Sequence, residues 1–281
     1  MIPLDVLHRE VLYSQVRVSS SKGGGSGTVI ASIPSANDYH TYVLSCHHVI
    51  DAAITVRKEW NPKLGREMKR EYRQLLTVEF FDYTNVPHGH RPVNYSVDAD
   101  LVAYDKDHDM AILKLRTVKP AEFVAPMCSA AEGKLMEVGA PVVAVGAALM
   151  HDPIVTFGAI THMGDEIDFK DYWMSSAQII FGNSGGAMFA QLESGYKFLG
   201  IPSRVDVVGW GSAVSHLGYF SPIHRVYQFL DEQSLHFLIP GHAHTEADCE
   251  QELKKERSKP VAAEDEEEKA PVLAIAKDSY E

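Results

Sequence analysis

The feature that most restricts how this chain can fold is its rhythm of short apolar stretches, each cut off by glycine, proline or a polar turn. Leu76–Phe81, Val97–Tyr104 and Ala111–Leu115 follow this pattern in the first half, and Pro141–Val145, Ile154–Phe157 and Asp171–Met174 in the second. Short strands with almost no helix between them argue for antiparallel barrels rather than an α/β sheet. Earlier strands are expected near 28–33 and 41–46, with another starting around Val11 and a polar glycine-rich loop over Ser19–Gly27. One helix is signalled late, at about 222–237. Ser221 is placed as N-cap and Pro222 in the first turn, and Ile223, Val226, Tyr227, Phe229 and Leu230 form a stripe at helical spacing.

One loop carries chemistry. In Phe181-Gly182-Asn183-Ser184-Gly185-Gly186 a serine sits among glycines just before the apolar run Ala187–Ala190. Glycine permits the tight bend and close ligand approach that would aim backbone N–H groups at one point. Acyl transfer uses that arrangement, because a serine attacks a carbonyl and nearby N–H groups hold the oxyanion. Upstream, Val43–Cys46 runs into the pair His47-His48, and the acidic turn Asp105–Asp109 runs into Met110–Leu115. The order histidine, aspartate, serine is one of those known for the Ser-His-Asp constellation. His47 rivals His48 as the base. Asp105 and Asp107 are alternatives to Asp109, although only Asp109 directly precedes the apolar strand.

These stretches resemble the trypsin-like serine peptidases, and the HtrA-like branch more than the digestive enzymes. Gly25-Ser26-Gly27-Thr28-Val29-Ile30 is similar to the opening of that branch's first barrel. Val138-Gly139-Ala140-Pro141 and Thr156-Phe157-Gly158-Ala159-Ile160 are similar to the start of its second, and Leu217–Pro222 to its closing strand. The resemblance implies two six-stranded antiparallel barrels, at about 10–118 and 135–220, crossing over at 119–132. It implies a catalytic set of His48, Asp109 and Ser184, with the N–H groups of Gly182 and Ser184 as the oxyanion hole. His48 is preferred over His47 because the family motif places the base immediately before Val49-Ile50. Gln178, six residues before the serine, would lie at the base of the specificity pocket and Phe181 at its entrance. Ile201, Ser203 and Arg204 would belong to the strand along which substrate lies, where Pro202 lacks an N–H. Asn183 stands where digestive relatives usually carry Asp, so no activating amino-terminal cleavage is expected.

The net charge of −12 argues against nucleic acid as the main partner. Protein or peptide substrates are expected instead, with no cofactor and no metal. His88-Gly89-His90 and His242-Ala243-His244 lack further ligands at recognisable spacing. Three cysteines, Cys46, Cys128 and Cys249, make no disulfide framework. Neither a signal peptide nor a membrane span is read, so a cytoplasmic or virion-associated protein is expected. Arg57–Arg73, with seven basic and three acidic residues, reads as a solvated surface insertion with a helical turn.

Residues 1–240 form the expected peptidase domain. Residues 241–281 carry twelve acidic and six basic side chains and read as an acidic flexible tail, too small for the PDZ module usual in the HtrA-like branch. The apolar segment within 270–281 is a candidate site for a protein partner. The function expected is a serine endopeptidase. The alternative is a trypsin-fold binding or scaffold protein in a larger assembly, cellular or viral, with proteolysis incidental.

Overall fold

The computed structural model describes residues 2–258 except 36, 37, 63, 64, 85, 87–89 and 210. The acidic block 264–268, the segment 270–281 and the His88-Gly89 pair lie outside the described residues. The chain opens with a helical turn, α1 (Leu4–Leu7), continued by a π-helical turn over His8–Leu12. Strand structure therefore begins at Gln15 and not at Val11. Leu7 and Val11, four residues apart, fall on one side of the turn and are both buried.

Strands β1 (Gln15–Ser20), β2 (Gly23–Ser35) and β3 (Asp38–Ser45) lead into the one-turn helix α2 (His47–Ile50). The glycine-rich stretch expected as a loop is mostly strand, since Gly23–Gly27 pair with Val16–Ser20. Its glycines answer a steric demand. A Cβ on Gly25 would come within 2.7 Å of Val49 Cγ2 and 2.9 Å of the Ser184 carbonyl oxygen. The hairpin β4 (Ile54–Asn61) and β5 (Arg66–Arg73) follows, where a helical turn was expected. Arg57 lies directly opposite Arg70 across it, and both guanidinium groups sit over the Tyr72 ring at 5.4 Å. Glu59 accepts hydrogen bonds from Arg70 and Tyr72, so cross-strand pairing offsets the like charges. Then β6 (Leu76–Asp82), β7 (Val93–Asp105) and β8 (Met110–Leu115) close the first barrel in the order β1-β2-β3-β8-β7-β6.

The crossing segment holds a short helix, α3 (Ala130–Lys134), started by a Ser129/Glu132 capping box. The second barrel comprises β9 (Pro141–Gly146), β10 (Ile154–Ile167), β11 (Lys170–Ser175), β12 (Ala187–Leu192), β13 (Gly195–Val208) and β14 (Ser212–Pro222). It closes as β10-β11-β14-β13-β12-β9. The all-β architecture of two six-stranded antiparallel barrels is thus the one expected. Alternation sets the cores. In β6, Leu76 and Val78 are buried while Thr77 is exposed, and Phe189 and Phe198 meet edge to face inside the second barrel.

Helix α4 (Ile223–Glu232) buries Ile223, Val226, Phe229 and Leu230, worth roughly 1.5–3 kcal/mol for each large side chain. Its N-cap is Pro222, one residue later than expected. The Ser221 hydroxyl instead accepts a hydrogen bond from Arg225 Nη1 at 3.1 Å. Among the described residues no helix is long and apolar enough to cross a membrane.

Part of the stretch expected as a flexible tail is a docked helix, α5 (Glu246–Ser258). Thr245 caps it. The Thr245 hydroxyl accepts the Asp248 N–H at 3.3 Å, and the Asp248 carboxylate accepts the Thr245 N–H at 2.9 Å. Glu246 then reaches the first barrel, where His40 Nδ1 (2.7 Å), the Tyr42 hydroxyl (2.6 Å) and Lys114 Nζ (3.1 Å) meet its carboxylate. Burial opposes its ionisation, but these hydrogen bonds outweigh burial and hold its pKa below the ordinary 4.5. A depressed carboxylate stabilises the fold above its ordinary value, and that contribution fades as pH falls below about 4.5. Acidification is therefore expected to loosen α5. At neutral pH, Glu246→Gln should speed thiol-reagent labelling of the buried Cys249 at least about tenfold, the loss of one charge-assisted contact. An unchanged labelling rate would mean that other contacts hold the helix.

Candidate active site

The serine loop is clamped at the seam of the two barrels. The Asn183 N–H donates to the Ile180 carbonyl and the Gly186 N–H to the Asn183 carbonyl, at 3.0 and 2.9 Å. Asn183 Oδ1 accepts the Ile180 N–H at 3.0 Å, so this buried amide pins the bend from within. Gly182 and Gly185 have φ of +94° and +85°. A Cβ on Gly185 would stand 2.2 Å from the Ser26 carbonyl oxygen, so only glycine fits. Among the described residues, the N–H groups of Gly182 and Ser184 donate to no protein acceptor.

Ser26 ties this loop to the first barrel. Its N–H donates to the Ser184 carbonyl at 2.9 Å, and its hydroxyl donates to the Gly182 carbonyl at 2.6 Å and accepts the Ala147 N–H at 2.7 Å. In the sequence Ser26 stands out only as part of the Gly25–Ile30 motif. A polar residue between glycines in an apolar strand was the signal that it had a bonding role.

Cys46 joins β3 to α2 as the N-cap residue, and α2 places the two histidines on different sides because successive residues turn by about 100° around a helix. His47 is buried, with its ring on Tyr104 at 5.2 Å, and burial lowers its pKa. His48 is half exposed and faces Asp109. Its Nδ1 lies 2.8 Å from Asp109 Oδ2 and 3.0 Å from Oδ1, and its backbone N–H donates to Oδ1 at 3.0 Å. Asp109 adopts φ +55°, which turns its side chain out of the β7–β8 connection towards α2. Ser203 supplies a further donor, with its hydroxyl 2.6 Å from Asp109 Oδ2. Burial opposes ionisation of Asp109, but the hydrogen bonds and charge of His48 and the Ser203 bond hold its carboxyl below the usual value. Asp105 and Asp107 turn elsewhere. Asp105 accepts the His108 N–H at 2.7 Å, and Asp107 lies at the surface 3.7 Å from Lys170 Nζ.

Ser184 is half-buried, and its hydroxyl donates to the Ser203 carbonyl at 3.4 Å rather than to His48. Cys46 lies inside, its thiol donating to the Pro202 carbonyl at 3.4 Å, and burial pushes its pKa well up. Residues 25–195, which hold all of these groups except Pro202 and Ser203, match the family model described as trypsin-like peptidase domain. The chain belongs to this peptidase family. Compared with the curated proteins, it matches none.

A trypsin-like peptidase acts on protein substrates, and the side chains expected to bind them differ in exposure and partners. Ile201 is fully buried in the second barrel and Ser203 is committed to Asp109, so neither side chain is free for substrate. Arg204 is exposed, stacked over Tyr172 at 5.2 Å and paired with Asp168 at 3.2 Å. Pro202, which has no N–H, contributes its carbonyl instead, accepting the Gly185 N–H at 3.1 Å. Gln178 is exposed and its carbonyl accepts the Thr156 hydroxyl at 2.9 Å, while Phe181 is 55% exposed beside the loop. A cavity of about 550 Å³ is lined by His48 together with Lys22, Gly24, Asp51, Ile54 and Thr55.

Proposed function

We propose that this peptidase is a serine endopeptidase that works through an acyl-enzyme, with Ser184 as nucleophile, His48 as general base and Asp109 as its orienting partner. The observation that carries the reading is the carboxylate of Asp109 on His48 Nδ1 at 2.8 Å, beside a serine in a glycine-built loop. With Nδ1–H held by the carboxylate, Nε2 is the free acceptor. Ser184 Oγ attacks the scissile carbonyl and passes its proton to Nε2. The imidazolium then gives that proton to the leaving amine, and water repeats the sequence to release the acid. The oxyanion would lie against the unspent N–H groups of Gly182 and Ser184. The hydroxyl's present bond to the Ser203 carbonyl is long, 3.4 Å, and costs little to break when the proton passes to the imidazole.

Within the family, the motifs at 25–30, 138–141 and 156–160 favour the HtrA-like branch. We place the catalytic unit in residues 1–240 and treat 241–281 as an appendage to it. Since Gln178 is neutral and Arg204 is already paired, small or medium apolar residues before the cut suit this site best. The test is labelling with a fluorophosphonate probe followed by peptide mass mapping. One adduct, on Ser184, is the expected result. Absence of labelling on folded protein would instead favour a binding protein that keeps the fold.

A further inference from the structure

We propose that Asp105, His108 and Glu232 form a binding site for a late first-row divalent cation of the Zn2+ class, clipping the turn that carries Asp109 to the end of α4. The His108 side chain is only 12% exposed, and its Nδ1 is buried without a hydrogen bond. Two carboxylate oxygens flank that atom, Asp105 Oδ1 at 3.3 Å and Glu232 Oε2 at 3.8 Å, and one ligand atom from each residue lies within 4.8 Å of the others. Ligand atoms held 2.0–2.1 Å from a tetrahedral Zn2+ stand roughly 3.3 Å apart, so a small inward shift seats the ion. One imidazole nitrogen with two carboxylates suits zinc-like ions better than Ca2+ or Mg2+, which take oxygen alone.

The groups around the three ligands fit the same reading. Gln228 donates to Glu232 Oε1 at 2.8 Å and leaves Oε2 for the cluster, and the His108 N–H fixes Asp105 Oδ1 at 2.7 Å. Outer hydrogen bonds of this kind orient ligating carboxylates. Glu232 is also the last residue of α4, where the helix end carries partial negative charge. Two carboxylates beside that end and a buried imidazole nitrogen thus bring three electron-pair donors to one point. Glu232 is open enough to solvent for water to complete the coordination.

The test uses the full chain, stripped with EDTA and titrated with Zn2+ by calorimetry, with Co2+ visible absorption as a second readout. Wild type should bind one ion through this cluster, and its Tm should rise by roughly 5 °C at about a hundredfold excess over Kd. His108→Gln and Glu232→Gln should each lose both the binding and the shift. Glu232→Gln lies at the partly exposed helix end and keeps the fold intact if His108→Gln does not. A second group, Cys46, His48 and Asp109, also has its ligand atoms within 4.8 Å. Binding that survives both variants, or that disappears only in His48→Gln, places the ion there and overturns the proposal. Absence of Zn2+ binding to wild type overturns it as well.

Discussion

Ser184→Ala is expected to lower kcat/KM for peptide hydrolysis by roughly 10⁴- to 10⁶-fold, because the oxygen that forms the acyl bond is gone. The fold should hardly notice. The hydroxyl makes one hydrogen bond, to the Ser203 carbonyl at 3.4 Å, whose loss costs at most about 1 kcal/mol. The loop itself is held by bonds that alanine keeps, namely the Ser184 carbonyl to Ser26 N–H and the Asn183 and Gly186 turns. Alanine also introduces no new bulk. The measurement is turnover of casein or a peptide library beside a thermal melt of the same sample. Turnover within tenfold of wild type, with an unchanged melt, would remove Ser184 from the mechanism.

Asp109→Asn is the second large effect, with kcat expected to fall by about 10⁴. Asparagine tolerates the left-handed φ of +55°, so the backbone need not move. What changes is the hydrogen-bond count. The carboxylate now accepts from His48 N–H, His48 Nδ1 and the Ser203 hydroxyl, whereas an amide offers one acceptor oxygen and an NH2 donor. The NH2 then faces Nδ1, which must become an acceptor. The proton moves to Nε2, the atom that must receive the proton from Ser184. Asp107→Asn, at the surface, is the control and should retain activity. Equal rates for the two variants would remove Asp109 from its role. A loss in Asp107→Asn matched by none in Asp109→Asn would pass the role to Asp107.

Much of the molecule was legible in its sequence because local pattern and local chemistry agree. Period-two alternation at Leu76–Phe81 and the stripe from Ile223 to Leu230 each bury one face wherever the chain places them. Glycines around Ser184 mark a bend whatever surrounds it. The hairpin at 54–73 was less legible, since its apolar Val56 and Trp60 stay exposed instead of facing a core, and among its cross-strand contacts are Arg57 and Arg70 over Tyr72. Helix α5 was hidden for a related reason. The Thr245–Asp248 cap can be seen locally, but the contact that docks the helix joins Glu246 to His40, Tyr42 and Lys114 far away in the chain.

By itself, then, the sequence determined the strand rhythm, the order of histidine, aspartate and serine, and the glycine loop that can turn N–H groups inward. Only the tertiary structure decided which neighbours are used. It buried His47 on Tyr104 and left His48 facing Asp109, set the Ser203 hydroxyl on that carboxylate, and made Ser26 the stitch between the barrels. The physical reason is range. Periodicity and turn chemistry are set by residues a few positions apart, whereas the His48–Asp109 bond, 61 positions apart, needs the first barrel closed and the Ser203–Asp109 bond, 94 apart, needs both barrels in place.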